Sequence, residues 1–206
     1  MTSDTDMPPL WFRLPPGFHD IGPGDRTLLD AMAEALNSPD AQRELGQLMD
    51  GLRELTDHQV VHTAIGLHPD ETNGVATSLF SLTAKPSPDP HPRLDVARAA
   101  LAITRSGVWS SSAGRAIDLP SSLPCCLITG TIALPDTGQE MFQARVVTTH
   151  ACASYVLVLD ITSAATHYAE AYGDILEAIA HTLTFSDPTP SSSSGPQTSR
   201  LLEVLS

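Results

Sequence analysis

Apolar and polar residues alternate along three consecutive segments in the second half of the chain, between Cys125 and Ile161. A period of two places every second side chain on the same face of a β-strand. The residues that share a face are Cys126, Ile128, Ile132 and Leu134 in the first segment, Phe142, Ala144, Val146 and Thr148 in the second, and Tyr155, Leu157, Leu159 and Ile161 in the third. Because Val156 and Val158 make the opposite face of the third segment apolar as well, we predict that this strand lies in the centre of a sheet.

The period changes to that of a helix after these strands. Apolar residues then recur at spacings of three and four, which brings them onto one face of an α-helix. They are Tyr168, Tyr172, Ile175, Leu176, Ile179 and Leu183. Ser163 or Thr166 is expected to cap the helix at its N-terminus. The segment from Cys125 to Phe185 therefore predicts an antiparallel sheet with a helix on one face.

The first half of the chain predicts further elements. Strands are expected at Val60–His68 and Gly74–Ala84, and helices at two stretches between Asp25 and Leu55 and at Arg93–Arg105. The segment Val108–Pro124 shows no period, so it is predicted to be polar and irregular.

Together these elements predict a single α+β domain, in which helices pack on the faces of an antiparallel sheet in the manner of an α/β/α sandwich. The 206 residues suffice for one domain with a real core and hardly for two. The domain is predicted to span residues 10–185, after a disordered N-terminus at residues 1–9. A linker rich in Ser and Pro is predicted at residues 186–197, and a docking peptide at residues 198–206.

Apolar side chains stand near both ends of the chain. Trp11 and Phe12 precede a Pro-Pro-Gly stop, and rings of this size are costly to leave in water. The segment that carries them is expected to pack on the core or on a partner. At the other end the apolar residues are Leu201, Leu202, Val204 and Leu205. These six residues are the candidate partner-binding residues, although the last four also fit a disordered end.

The charge of the chain excludes several kinds of partner. It has 24 acidic residues against 11 Lys and Arg, a net charge of −13. Such a surface repels phosphate groups, so binding to nucleic acid or to an anionic membrane is not expected. No apolar run approaches the roughly 20 residues that span a bilayer, and residues 1–9 show neither a basic nor an apolar signal region. We therefore predict a cytoplasmic protein without membrane insertion.

The cysteines and histidines are the candidate metal ligands of the chain. The three cysteines are Cys125, Cys126 and Cys152. They lie in apolar, strand-like surroundings without the separated pairs of a zinc site, so buried, reduced thiols are expected. On a helix, His58 and His62 would share a face and could chelate a metal. On a strand, these two and His68 share parity but are spread too far for one ion. We therefore predict no metal site and no cofactor.

Motifs for catalysis are missing from the sequence. It has no Gly-x-Ser-x-Gly nucleophile elbow and no Gly-x-x-x-x-Gly-Lys phosphate loop, and Lys85, the one lysine, stands in a proline-rich stretch. Ser110–Ser112 is expected to be an ordinary polar loop. The neighbouring carboxylates Asp70 and Glu71 have no apolar surroundings that would raise a pKa. The sequence therefore predicts a protein that is not an enzyme.

The order of elements resembles that of a known family. The segment Phe12–Phe18 reads Phe-Arg-Leu-Pro-Pro-Gly-Phe, and strands follow it. A long hairpin, Met141–His150 with Ser154–Thr162, then precedes a closing helix that ends in Leu183 and Phe185. In this order the chain resembles the Mog/PsbP-like superfamily and, within it, the bacterial DcrB-type proteins. The resemblance implies an α/β/α sandwich that acts as an accessory binding protein, since members serve as assembly factors, lipoproteins or chaperones for secretion-system effectors. It carries no catalytic residues over.

The sequence thus favours a non-enzymatic, cytoplasmic binding or adaptor protein, chaperone-like in character, that serves a secretion or multiprotein system. Its partner is expected to be another protein. One alternative is a structural subunit of a larger assembly. Another is a small-ligand- or metal-binding protein, or an enzyme with an unrecognised site. The best sequence feature for that last class is the group of histidines and carboxylates between His58 and Asp70.

Overall fold

The computed structural model describes residues 9–22, 25, 31, 60–70, 74–87, 91–133, 138–152, 155–186 and 199–200. Its strands are β1 (Trp11–Phe12), β2 (Phe18–Asp20), β3 (Val60–Asp70), β4 (Gly74–Pro86), β5 (Trp109–Ala116), β6 (Cys125–Ala133), β7 (Glu140–Thr149), β8 (Tyr155–Ser163) and β9 (Ser199–Arg200). Its α-helices are α1 (Pro92–Thr104) and α2 (Ala169–His181), and a 3₁₀ turn at Thr166–Tyr168 leads into α2.

Among the described residues, seven strands form one antiparallel sheet in the order β2-β3-β4-β8-β7-β6-β5. Strand β8 lies in the middle of this sheet, as its two apolar faces predict. Strands β1 and β9 pair with each other, separately from the sheet. The protein is therefore a single α+β domain built on an antiparallel sheet, which confirms the predicted class.

The main core lies on one face of the sheet. It includes alternate residues of β8, which are Tyr155, Leu157, Leu159 and Ile161. Helix α2 contributes Tyr172, Leu176 and Ile179 to the same cluster, in agreement with the predicted apolar stripe. Phe12 of β1 also belongs to it, with its ring centroid 5.6 Å from that of Phe80.

A smaller apolar cluster contains strand residues that alternate with those of the main core. Val96 of α1 lies with Ile128 of β6 and Val147 of β7. Ile128 follows Leu127, which belongs to the main core. Because successive side chains of a strand point to opposite faces, the two clusters lie on opposite sides of β6.

A partly buried ion pair joins β7 to β8. Arg145 stands opposite Asp160 in the sheet and donates from Nε to Oδ1 at 2.5 Å. Burial raises the pKa of Asp160 even though the Arg145 guanidinium acts in the opposite direction. The same guanidinium lies 5.8 Å from the ring centroid of Trp109, the first residue of β5. The pair therefore links the centre of the sheet to its end.

The structure confirms several of the predicted strands and helices and contradicts one prediction in part. Strands β3 and β4 and helix α1 confirm the strands and the Ala-rich helix expected at these places. The prediction of an irregular segment at Val108–Pro124 is confirmed at residues 117–124 but wrong at residues 109–116, which form β5. Its side chains are exposed on both faces, so its sequence has no alternation to reveal a strand.

Other predictions fall on residues outside the description. They are nearly all of the two helices between Asp25 and Leu55, residues 1–8 of the predicted disordered N-terminus and residues 187–197 of the predicted linker. In the described part of the chain, no helix is long and apolar enough to cross a membrane.

Candidate functional site

Strand β5 forms one end of the sheet. It pairs with β6, and no other described strand pairs with its far side. After Trp109 each of its residues is exposed. Its sequence, Trp-Ser-Ser-Ser-Ala-Gly-Arg-Ala, contains neither Lys nor Pro, the residues that commonly protect a sheet edge. The backbone along this open edge can therefore accept a further strand.

A β-bulge sets the beginning of β5. The pairing with β6 shifts register between Trp109 and Ser111. At this point the Ser111 carbonyl and the Trp109 ring approach Gly130 so closely that a side chain there would have no room. The glycine therefore permits a close backbone approach, and the bulge fixes the direction in which the edge starts.

An ion pair ties the other end of β5 to helix α2. Arg115 donates from Nη1 to Oε1 of Glu177 at 3.2 Å and from Nη2 to Oε2. Hydrogen bonding between them lowers the pKa of Glu177 and raises the pKa of Arg115, so the pair stays charged near neutral pH. Because the pair is largely open to solvent, we expect it to position the edge more than it stabilises the fold.

A cleft of about 280 Å³ lies between the open edge and α2. We call it the edge cleft. Its lining includes Ala113 and Arg115 of β5, Thr129 of β6, Phe142 of β7 and Gly173 of α2. The small residues Ala113 and Gly173 keep it open, and the Phe142 ring gives it an apolar base.

Helix α2 also contributes two carboxylates to the edge cleft. Glu170 and Asp174 are one helical turn apart, both line the cleft, and both are exposed. The cationic residue in the same lining, Arg115, already bonds to Glu177. In a chain with a net charge of −13, this wall should attract a cation.

This arrangement suits an extended polypeptide. An added strand gains main-chain hydrogen bonds from an open edge, and every second side chain of it faces the same side of the sheet. The eight residues of β5 offer an edge of about 26 Å at roughly 3.3 Å per residue. Residues of the same strand, Ala113, Gly114 and Arg115, line one side of the edge cleft.

The two aromatic residues predicted to bind a partner lie away from the edge cleft. Phe12 is 1% exposed and belongs to the main core, so of its two expected positions, the core or a partner, it occupies the core. A side chain so deeply buried is not available to a partner. Trp11 is half-buried, and its backbone N–H and C=O both bond to Thr184 at 2.9 Å.

The predicted C-terminal residues Leu201, Leu202, Val204 and Leu205 lie outside the described residues, and their role stays a prediction. The residues immediately before them form β9 and pair antiparallel with β1. Arg200 stands opposite Trp11 and Ser199 opposite Phe12. The start of the predicted docking peptide therefore meets the N-terminal strand of its own chain.

The histidines do not gather at one point. His62 Nε2 is 3.2 Å from Asp20 Oδ1, whereas His68 Nε2 lies 3.3 Å from Ser78 Oγ. Burial lowers the pKa of both rings, which favours their neutral form. His58 lies outside the described residues, among which no three His, Cys, Asp or Glu side chains are placed to hold a metal ion.

The cysteine prediction is wrong at one position. Cys125 is 6% exposed and Cys126 is half-buried, but Cys152 is exposed in the turn that follows β7. The alternating pattern ends with the strand, and beyond it apolar neighbours no longer indicate burial. None of the three thiols forms a disulfide.

The chain was compared with known proteins. No protein-family model and no curated protein matches it. A solved structure of PA94 from Pseudomonas aeruginosa, a protein of unknown function described as a putative regulator, is 14% identical with a TM-score of 0.40, over 56% of this chain and 79% of that chain. The structure of LpqN, involved in cell envelope biogenesis of Mycobacterium tuberculosis, is 13% identical with a TM-score of 0.49, over 89% of this chain and 86% of that chain. Likeness at this level carries no information about function.

Sequence reasoning missed the edge cleft for a definite reason. Glu170, Asp174 and Glu177 recur on the polar side of α2, and such a run is ordinarily a solvated helix face. These carboxylates lie beside β5 only because the strand order places β5 at the end of the sheet. The sequence signal that could have found it is the segment of small residues between Trp109 and Ala116, understood as an edge strand.

Proposed function

We propose that this protein is a non-enzymatic adaptor that binds an extended segment of another protein along strand β5. The observation that carries the proposal is the open edge itself, in which all residues of β5 after Trp109 are exposed and none is a protecting Lys or Pro. A bound segment adds a strand to the sheet, and its side chains on one face enter the edge cleft.

The charges of the edge cleft define the class of segment. Glu170 and Asp174 both line the edge cleft, so a Lys or Arg side chain of the partner is favoured there. The Phe142 ring favours a small apolar side chain at the base of the cleft. The partner segment is therefore extended and basic, with small apolar residues next to the basic one.

The dimensions favour a peptide over a small organic ligand. Drug-sized ligands usually occupy pockets of about 300–1,000 Å³ that enclose most of their surface. The edge cleft, at about 280 Å³, lies below that range and opens along a strand. A polypeptide uses the edge for affinity and needs the cleft only for one or two side chains.

The proposal also covers the layer arrangement of the fold, the system that the protein serves and its cellular location. Clusters on both sides of β6, one with α2 and one with α1, support an α/β/α sandwich. The resemblance of the sequence pattern to DcrB-type proteins supports a chaperone-like role in a secretion or multiprotein system. We place the protein in the cytoplasm, where an acidic adaptor can meet basic segments of unfolded or newly made partners.

Selection from a random peptide library displayed on phage tests the proposal with the full chain as bait. Enriched peptides should be rich in strand-forming residues and carry a Lys or Arg. The chain has two tryptophans, so Trp11→Phe leaves Trp109, at the beginning of the open edge, as the reporter of binding. Synthetic peptides are titrated into this variant, and hydrogen exchange should show new protection along β5.

A matched pair of charge reversals provides the control. Asp174→Lys and Glu140→Lys change the net charge equally, and both residues are exposed, but only Asp174 lines the edge cleft. Asp174→Lys should weaken peptide binding at least about tenfold and Glu140→Lys much less. Equal effects, or a library that yields no binding peptide, would refute the proposal. A homo-oligomer that buries β5 in hydrogen exchange and excludes peptides would replace it with the alternative of a structural subunit.

A further inference from the structure

Cys152 lies beside a buried histidine in the turn between β7 and β8. His150 follows β7 directly and is 4% exposed. Its Nδ1 lies 3.0 Å from the sulfur of Cys152 and accepts a hydrogen bond from the Cys152 backbone N–H at 3.2 Å. One edge of a buried imidazole thus faces an exposed thiol.

The other ring nitrogen defines the tautomer. His150 Nε2 lies 3.2 Å from the carbonyl oxygen of Pro9, which can only accept a hydrogen bond. Nε2 therefore carries the ring proton, and the single lone pair of Nδ1 is shared between the backbone N–H and the thiol of Cys152. The Phe185 ring, with its centroid 4.4 Å from that of His150, packs against the imidazole. The base is fixed in the form that can take the thiol proton.

The other two cysteines are poor nucleophiles. Burial raises the pKa of Cys125 to about 12, and burial also raises the pKa of Cys126. The thiolate is the reactive form of cysteine, so both are largely unreactive near neutral pH. Burial lowers the pKa of His150, which keeps its Nδ1 free of a proton under the same conditions. Thiol chemistry in this protein is therefore directed to Cys152.

We propose that Cys152, with His150 as its base, is a site of mixed-disulfide formation with low-molecular-weight disulfides. His150 Nδ1 takes the thiol proton as the sulfur of Cys152 attacks one sulfur of the disulfide. The old S–S bond breaks as the new one forms, and the leaving thiolate takes the proton from the imidazolium. One protein thiol and one small disulfide give one mixed disulfide and one small thiol. A reagent of this size needs access and no binding pocket, and the exposed turn gives that access.

The rate of modification tests the inference on the full chain. Because the protein is strongly acidic, the probe is a neutral one, hydroxyethyl disulfide, and mass spectrometry locates the modified residue. Near neutral pH, Cys152 should be modified first, at least about tenfold faster than the same thiol in a synthetic peptide of residues 148–156. His150→Gln should lose this advantage and react no faster than the peptide. Cys152→Ser should leave only slow modification of Cys125 and Cys126.

Two results would overturn the inference. One is a rate for folded wild-type protein equal to that of the peptide, and the other is first modification at Cys126. If circular dichroism shows that His150→Gln does not fold, the comparison of wild-type protein with the peptide decides alone. This inference does not depend on the edge cleft, so peptide binding and thiol reactivity can fail independently.

Discussion

The carbonyl oxygen of Ser111 lies against Gly130 so closely that a methyl group on that glycine would overlap it. The Trp109 ring crowds the same position, with Cε3 2.8 Å from where the methyl carbon would stand. Gly114, on the neighbouring strand, differs: a Cβ there would be 3.9 Å from Ile128 Cγ1 and from the Leu127 carbonyl. One glycine is required by a close backbone approach, and the other has room for a side chain.

Gly130→Ala is therefore expected to lower the free energy of unfolding by about 1–3 kcal/mol, because the backbone of β5 must move away. Gly114→Ala should change it by no more than about 0.5 kcal/mol. Urea denaturation followed by circular dichroism measures both. In the Trp11→Phe background, Trp109 emission should shift only with Gly130→Ala. Similar losses in the two variants would show that the close contact between Ser111 and Gly130 does not maintain the bulge.

A strand could be predicted from the sequence where its pattern of apolar residues reflects its burial in the sheet. Residues 155–159 are apolar on both faces because β8 lies in the middle of the sheet, and the sequence shows this directly. Residues 109–116 form a strand that is exposed on both faces, and no period marks them. The strand on which the candidate site depends was therefore the one that sequence patterns could not reveal.

Two leucines on the two helices allow a matched test of the core. Leu176 on α2 is fully buried in the main core, whereas Leu101 on α1 is 48% exposed. Leu176→Ala should lower the free energy of unfolding by about 2–5 kcal/mol, since it leaves a cavity among packed side chains. Leu101→Ala should change it by about 0.5 kcal/mol or less. Chemical denaturation of both variants is the measurement, and equal losses would contradict the assigned core.

The Arg145–Asp160 pair gives the protein a predictable response to pH. Burial raises the pKa of Asp160 above its ordinary value of 3.8. The folded protein thus holds this proton at a pH where the unfolded chain has released it. The contribution of Asp160 to stability is therefore greatest near or below pH 3.8, and it is lost as the pH rises through the folded-state pKa.

Arg145→Met should lower the free energy of unfolding toward the low end of about 3–5 kcal/mol at neutral pH, because it leaves a buried carboxylate unpaired. The loss of stability is expected at the low end of this range because the Arg145 side chain is 29% exposed to solvent. Loss of the guanidinium raises the pKa of Asp160 further, so the difference from wild type should shrink as the pH falls from neutral. Denaturation curves at a neutral and an acidic pH measure it. The double variant Arg145→Met, Asp160→Asn should recover stability and lose this pH dependence, and a pH-independent loss would contradict the assignment.

The chemistry of the candidate sites was less predictable than the fold. His150 and Cys152 are two residues apart in the sequence, a spacing that places side chains on the same face if the strand continues. Here the strand ends at Thr149, and the turn brings the imidazole back to the sulfur. The bond from His150 to Pro9 spans most of the chain and follows from the tertiary fold alone. Local patterns contain no information about such contacts.

Deletion of residues 198–206 tests the predicted docking peptide. The deletion removes β9, whose two residues pair with β1. Strand β1 keeps its backbone bonds from Trp11 to Thr184 and the burial of Phe12, so the melting temperature should barely change. The pairing of Ser199 and Arg200 with β1 gains little over the entropy lost in ordering these two residues, about 1–2 kcal/mol for each.

Phe12→Ala is the contrasting variant. It keeps the C-terminal segment but removes a ring that is 1% exposed, so it should lower the free energy of unfolding by about 3–5 kcal/mol. In the deletion variant, Trp11 should become more accessible to a fluorescence quencher, measured with Trp109→Phe as background. If the deletion lowers the melting temperature as far as Phe12→Ala does, residues 198–206 are part of the folded core and the docking hypothesis is wrong. If stability is kept and a partner binds the shortened chain more weakly, the candidate residues Leu201, Leu202, Val204 and Leu205 are the ones to substitute next.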